Sequence, residues 1–136
     1  MDQATLRRHF TSSRVAHLAT VDQDGRPHIV PIVFALEADT IYFAVDRKPK
    51  RTTNLKRVRN IGGNPRVAVL VDHYDDEWTS LWWARADGTA SVLDPGPDAD
   101  RGLALLAERY AQYRSQPPAG PVVAIAVERW SGWSFS

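Results

Sequence analysis

The amino-acid sequence predicts one small antiparallel β-barrel of six strands, mainly β, with short helices inserted between some of the strands. Apolar, β-branched and aromatic segments recur in hairpin order, and each is closed by a turn signal. A length of 136 residues suits a single domain, 1–136, with one hydrophobic core and little room for a second. Closing such strands into a barrel also removes exposed sheet edges. Hydrophobic residues at 43% and charged residues at 24% are ordinary for a globular chain, which excludes a disordered or coiled-coil class.

The chain opens with an amphipathic helix over residues 3–11, then a first strand over 15–21 that runs into the turn Asp22-Gln23-Asp24-Gly25. Residues 26–36 form a second strand, in which Pro31, lacking an N–H, indicates a sheet edge or an interrupted ladder. Glu37-Ala38-Asp39 turns the chain into a third strand at 40–45. A polar stretch then becomes helical, with Leu55, Val58 and Ile61 on one face, and Gly62-Gly63-Asn64-Pro65 stops it. The fourth strand is 66–72 and the fifth 81–93, broken by Asp94-Pro95-Gly96-Pro97. Asp98 is placed to cap a second inserted helix whose Leu103, Leu106, Tyr110 and Tyr113 form one stripe. A Pro-rich connection at 116–121 leads to the sixth strand, 122–135.

The chain has no cysteine, so disulfide frameworks, zinc–thiolate sites and thiol nucleophiles are excluded, and a reducing cytoplasm is the expected setting. Its first residues lack the apolar core of a signal peptide, and no apolar run is long enough to cross a bilayer.

The segment with most chemical content is residues 47–59, which hold seven cations and no acid in thirteen positions although the net charge of the chain is only +1. Arg47, Lys48, Lys50 and Arg51 precede Thr52, Thr53 and Asn54, any of which can cap the helix that carries Lys56, Arg57 and Arg59. A helix N-terminus beside such cations suits a phosphate. The competing explanations are a solvated basic surface and a nucleic-acid contact. A nearly neutral chain without a recognition helix or an aromatic RNA-binding signature weighs against nucleic acid.

The Gly-x-Gly-x-x-Gly, phosphate-loop, nucleophile-elbow and His-Glu-x-x-His signatures are absent, so classical dinucleotide folds and common hydrolases are disfavoured. His9, His17, His28 and His73 lie far apart, and no metal is assigned. Asp72, Asp75, Asp76 and Glu77 read as a solvated loop rather than as paired catalytic carboxylates. Neighbouring Trp82 and Trp83 must point to opposite faces of their strand, so one fills the barrel while the other, like Trp78, is available to a dimer contact or a flat-ring pocket, or adds to the core packing at a bend.

Three stretches then carry a resemblance: Arg26-Pro27-His28-Ile29-Val30-Pro31-Ile32 after the Asp-Gly turn, Asp39-Thr40-Ile41-Tyr42-Phe43, and the run from Val58-Arg59-Asn60-Ile61 to Asn64-Pro65-Arg66-Val67. Together they resemble the pyridoxamine-phosphate-oxidase-like split-barrel superfamily over nearly the whole chain, and within it the actinobacterial branch dependent on the deazaflavin coenzyme F420. The resemblance implies a homodimer with two cofactor sites at the subunit interface. It places Val30, Pro31, Ile32 and Val33 along the cofactor ring, largely through backbone contacts, and the basic loop-helix on the phosphate and tail. Relatives usually carry a Ser or Thr followed by Arg and Lys at the helix start; the matching positions here are Leu55, Lys56 and Arg57, so Lys48, Lys50, Arg51, Thr52 and Thr53 are expected to share the contact. Trp78, Trp82 or Trp83 would shape the substrate side, Arg85 or His28 would polarise an acceptor carbonyl, and no dedicated catalytic side chain is required.

The expected function is F420-dependent hydride transfer to a small organic acceptor. Flavin mononucleotide chemistry, and cofactor or haem binding without turnover, are the alternatives that the same resemblance allows. Seven cations suit the phosphodiester and polyglutamate tail of F420 better than the single phosphate of flavin mononucleotide.

Overall fold

Asp2 opens the first helix by accepting the Thr5 N–H on its carboxylate at 2.8 Å, and α1 follows over Gln3–Ser12, with Leu6 and Phe10, one turn apart, buried. The computed structural model describes residues 1–45 and 53–135, and for residues 53–55 the backbone alone. After α1 come β1 (Ala16–Val21), β2 (Pro27–Ile32), β3 (Ala35–Glu37), β4 (Thr40–Ala44) and α2 (Thr53–Gly63). Then follow β5 (Arg66–His73), a 3-10 turn at Trp78–Ser80, β6 (Trp82–Val92), α3 (Pro97–Arg109), α4 (Ala111–Ser115) and β7 (Val122–Ser134).

The strands form one antiparallel sheet in the order β2-β1-β5-β6-β7-β4-β3. The β1–β2 hairpin turns where expected: the Asp22 carboxylate accepts the N–H groups of Asp24 and Arg26, both at 2.9 Å, and Gly25 supplies a φ of 80°. Pro31 sits on the terminal strand of the sheet, where a missing N–H costs least.

Seven strands, rather than six, result from a break in the expected second strand, residues 26–36, at Val33 and Phe34. The Phe34 N–H donates to the Tyr110 hydroxyl at 3.2 Å, and its carbonyl accepts from the Arg109 guanidinium at 2.8 Å, so helix-borne groups and not a strand satisfy it. The consequence is topological, because β2 and β3 lie at opposite ends of the sheet. Three Cα–Cα steps from Ile32 to Ala35 span at most about 11 Å. The sheet must therefore curl until its two edges nearly meet.

Alternate faces of the curled sheet build two cores. The inner one gathers Leu6, Phe10, Leu18, Phe34, Ile41 and Phe43 with residues of β5, β6, β7 and α2. Phe10 meets Phe34 and Trp130 edge-on at 5.9 and 5.2 Å. Full burial of a Phe side chain contributes about 1.5–3 kcal/mol. The outer core packs Ala99, Leu106, Tyr110 and Tyr113 of the α3–α4 unit on Ala35, Ala44 and Val122. The single stripe expected there is bent, because Tyr110 leaves the helical region (φ −120°, ψ 118°) between the two helices. The start of α3 also differs from expectation. Gly96 holds the cap position, Pro97 follows, and Asp98 lies inside the first turn, where it complements the helix dipole without capping.

At the β6–β7 pair the register shifts between Asp87 and Gly88, and a Cβ on Gly88 would fall 2.3 Å from the Ala126 carbonyl oxygen, which requires glycine. The β3–β4 turn holds Ala38 at φ 52°. Arg7 bonds the Ala38 carbonyl and the Asp39 carboxylate, and the Trp130 N–H reaches that carboxylate at 3.0 Å. The Trp130 bond first, then Arg7, hold the Asp39 carboxyl below the ordinary carboxylate range. Left-handed backbone costs a non-glycine residue about 1–2 kcal/mol, against an entropic cost of about 0.5–1 for glycine. Ala38→Gly is therefore expected to gain about 0.5–1 kcal/mol, seen as a Tm higher by about 2–3 °C in thermal unfolding; a lower Tm contradicts the strain.

Candidate cofactor site

The site begins with β2, since a terminal strand turns alternate backbone N–H and C=O groups away from its only ladder partner. On this strand His28, Val30 and Ile32 point inward, whereas Ile29 and Pro31 point outward with His17 and Ala19 of β1. Val33 follows immediately, half-buried against the outer core. The four residues expected along a cofactor ring thus form one continuous strip, with backbone available on its open edge.

Across β1 from that strip lies α2. Its Asn60, buried, donates to the hydroxyl of the equally buried Thr20 at 3.0 Å, which docks the helix on β1 in an otherwise apolar contact. In the sequence Asn60 stands among the residues that carry the family resemblance, and its docking role is signalled by an amide one residue before the core-facing Ile61. Lys56 and Arg57 are half-buried on α2, and Arg59 is exposed. The Lys56 ammonium stands 3.5 Å from the Asp22 carboxylate, at a cleft between the β1–β2 turn and α2. The Arg26 N–H first, with help from Asp24 and Lys56, holds the Asp22 carboxyl below its ordinary value.

The other expected phosphate ligands divide in two. Thr53 is the first residue of α2, while Arg47, Lys48, Lys50, Arg51 and Thr52 lie outside the described residues. The tryptophans do point to opposite faces. Trp82 packs against the inner core and stacks on His9, with centroids 3.6 Å apart and planes 14° apart. Trp83 lies outward, paired in register with Asp72 and Trp133, and Arg85 sits 5.7 Å over its ring while bonding Asp87 at 3.1 Å. From β2 to β6 is three strand spacings, about 14 Å. Trp83 and the β2 strip are therefore separate on one copy of the chain. His28 faces Thr20 in register, and its Nδ1 is shielded from water without a partner among the described residues.

Asp75, Asp76, Glu77 and Trp78 are exposed, with His73 2.8 Å from Asp75. Among the described residues, no group of three or more His, Asp or Glu side chains is gathered for a metal ion, and no helix is long and apolar enough to cross a membrane.

Curled sheet, open edge strand and cation-bearing helix define a split-barrel architecture of the flavin-binding type. Residues 3–134 match the family model for pyridoxamine 5'-phosphate oxidase, and the chain belongs to that family. Among solved structures, a conserved hypothetical protein of Mycobacterium tuberculosis superposes with a TM-score of 0.75 at 24% identity, over 99% of this chain and 86% of that one. A protein of Mesorhizobium loti described as FAD-binding gives 0.72 at 21% identity, over 97% and 94%. HutZ of Vibrio cholerae, described as a haem storage protein, gives 0.74 at 17% identity, over 97% and 93%. At these identities the likeness establishes the fold. Comparison with curated proteins finds no match.

Burial, and then the charge of Arg8, push the His9 imidazole below the ordinary value of 6.5. A histidine whose folded pKa is depressed binds its proton more readily in the unfolded chain, so stability is retained above 6.5 and declines as pH falls below it. Unfolding followed between pH 7 and 5 should show that decline, and His9→Phe, which keeps an aromatic ring on Trp82, should make it shallower. An unchanged slope in the variant contradicts this assignment.

Proposed function

We propose that the chain is a cytoplasmic, homodimeric oxidoreductase that uses the deazaflavin coenzyme F420. The observation that carries this reading is the open backbone edge of β2 in the same hairpin whose turn meets α2 and its Lys56, in a chain of the pyridoxamine 5'-phosphate oxidase family. These residues fit such a cofactor: the strip of Val30, Pro31, Ile32 and Val33 offers an apolar edge with main-chain hydrogen-bonding groups for a flat heteroaromatic ring. Lys56 and Arg57, with the basic residues 47–51 that precede α2, offer charge for a phosphodiester and an acidic tail.

When bound, F420 supplies hydride donation and acceptance at its ring system. The protein's part is to hold the ring on the strip, to neutralise the tail with Lys56 and Arg57, and to shield the reacting face from water, which brings an acceptor into contact without a dedicated acid or base. Quinone-like, unsaturated-carbonyl and tetrapyrrole compounds are the acceptor classes that the family resemblance implies. Flavin mononucleotide is the second reading, favoured by the family itself and by the FAD-binding relative. Haem binding without turnover is the third, favoured by HutZ.

The dimer is supported by an uncovered face. The helices α1 and α2 feed the inner core, and α3 and α4 cover the outer side of β3, β4 and the start of β7. The outer side of β2, β1, β5, β6 and the end of β7 is left with Ile29 64% exposed, Trp133 40% exposed, and Leu70 and Trp83 half-buried. An apolar patch of this kind suits a partner. A second copy seated there would also bring Trp83 and Arg85 toward a β2 strip that its own chain keeps about 14 Å away. Sedimentation equilibrium should therefore return the mass of two chains, and Trp83→Glu with Leu70→Asp should return one. A single-chain mass for the native protein contradicts the dimer.

The cofactor is tested by titrating the protein with F420, flavin mononucleotide and haem in parallel, following fluorescence or absorbance. The expected result is tightest binding of F420, with Kd raised at least tenfold in the Lys56→Ala, Arg57→Ala double variant, since a charge-assisted hydrogen bond is worth about 1.5–3 kcal/mol. Preference for flavin mononucleotide or haem replaces the reading with the second or the third.

A further inference from the structure

The strongest polar construction among the described residues lies outside the contacts assigned above, at the crossover between β2 and β3. Tyr110, 5% exposed, accepts the Phe34 N–H on its hydroxyl at 3.2 Å. The hydroxyl's one proton is shared between the Phe34 carbonyl at 3.0 Å and the Arg14 carbonyl at 2.9 Å. Arg109 donates to the same Phe34 carbonyl at 2.8 Å, to the Thr11 carbonyl at 3.2 Å and to the Ser13 carbonyl. Its guanidinium lies 4.6 Å over the Phe34 ring and 5.4 Å over that of Tyr110, while the Arg14 guanidinium lies 4.7 Å over the Tyr110 ring and bonds the Arg109 carbonyl at 3.1 Å. The end of α1, the end of α3 and the crossover are thus tied at one residue, Phe34, whose ring is fully buried against Phe10.

A tie of this strength has a particular neighbour. Phe34 follows Val33 directly, so any rotation permitted at Phe34 moves the backbone of Ile32 and Val33, and the sheet itself gives Val33 no strand partner. A ligand-facing backbone displaced by about 1 Å loses most of the benefit of preorganisation, which is why such strips need rigid support behind them. We infer that Tyr110 and Arg109 are positioning residues: by holding both backbone groups of Phe34 they set the orientation of the 30–33 strip toward the cofactor ring. The inference rests on the proposed function for the identity of the ligand, while the fixing of the strip is a property of the free protein.

The experiment uses the full chain and two readouts. In the free protein, amide exchange of Ile32, Val33 and Phe34 should be faster by tenfold or more in Tyr110→Phe, with β5 and β6 unchanged. With F420 and flavin mononucleotide as probes, the same variant should bind the preferred one about tenfold more weakly, and the circular dichroism band of the bound ring should change shape. Val123→Ala, a core change in β7 that removes none of these hydrogen bonds, serves as the comparison for a merely less stable protein and should keep both affinity and band. Should Tyr110→Phe not fold, Arg109→Lys, which keeps the charge and loses the fork, takes its place. Unchanged exchange at residues 32–34 overturns the inference, as does unchanged affinity with an unchanged band. If the native protein binds neither probe, the proposed function fails, and the exchange data still decide whether Tyr110 fixes the strip.

Discussion

Two residues, Val33 and Phe34, connect the two opposite edges of a seven-stranded sheet, and the rest of the molecule is arranged around that short link. A flat sheet would set its first and last strands about 29 Å apart at six strand spacings, far beyond the reach of three Cα steps. Curling follows from chain length alone. Once curled, the sheet has a concave side that must be filled, and Leu6, Phe10, Phe34 and Phe43 fill it, with α1 and α2 contributing to the plug. The convex side near the link is sealed by α3 and α4. The strand break is itself stabilised by polar groups, so the link is held as well as short.

The placement of charge follows the same geometry. An edge strand cannot satisfy all of its backbone internally, and α2, docked by the Asn60–Thr20 hydrogen bond, sets Lys56 at the turn that leads into that strand. Lys56 is partly neutralised by Asp22, so an incoming anion must compete with one carboxylate at 3.5 Å. That competition is limited, because the pair is long and still partly open to water, which screens it. It favours a ligand with several anionic groups over one with a single weak charge.

Much of the fold was legible from local chemistry. The Asp22–Gly25 turn, the edge position of Pro31, the turn at Ala38 and the end of α2 near Gly63 each follow from one or two residues whose backbone preferences are strong. The opposite faces of Trp82 and Trp83 follow from strand geometry. The break at Phe34 was not legible, because its apolar pattern continues unbroken and the groups that cause the break, Arg109 and Tyr110, stand 75 and 76 positions away in sequence. Tyr110 signalled itself as a core residue through its ring, which concealed the hydroxyl's task. At α3 a capping aspartate was favoured over a glycine followed by proline, and the fixed φ of Pro97 prevailed. For the candidate site, the cations of α2 were legible from residue type, whereas the β2 strip is drawn from the family resemblance. The stacking of Trp82 on His9 was not legible, since it joins elements 73 positions apart.

The claim that organises this account is that one anionic, flat-ring cofactor lies along the open edge of β2 with its charged end at α2. It is tested most directly by recording amide chemical shifts of the isotopically labelled protein during addition of F420. The account predicts that the largest shifts fall together on Val30, Ile32 and Val33 and on the amides at the start of α2, while the β3–β4 turn and the α3–α4 unit stay still. Shifts confined to the cleft between α1 and α3, around Arg14 and Leu105, would contradict it.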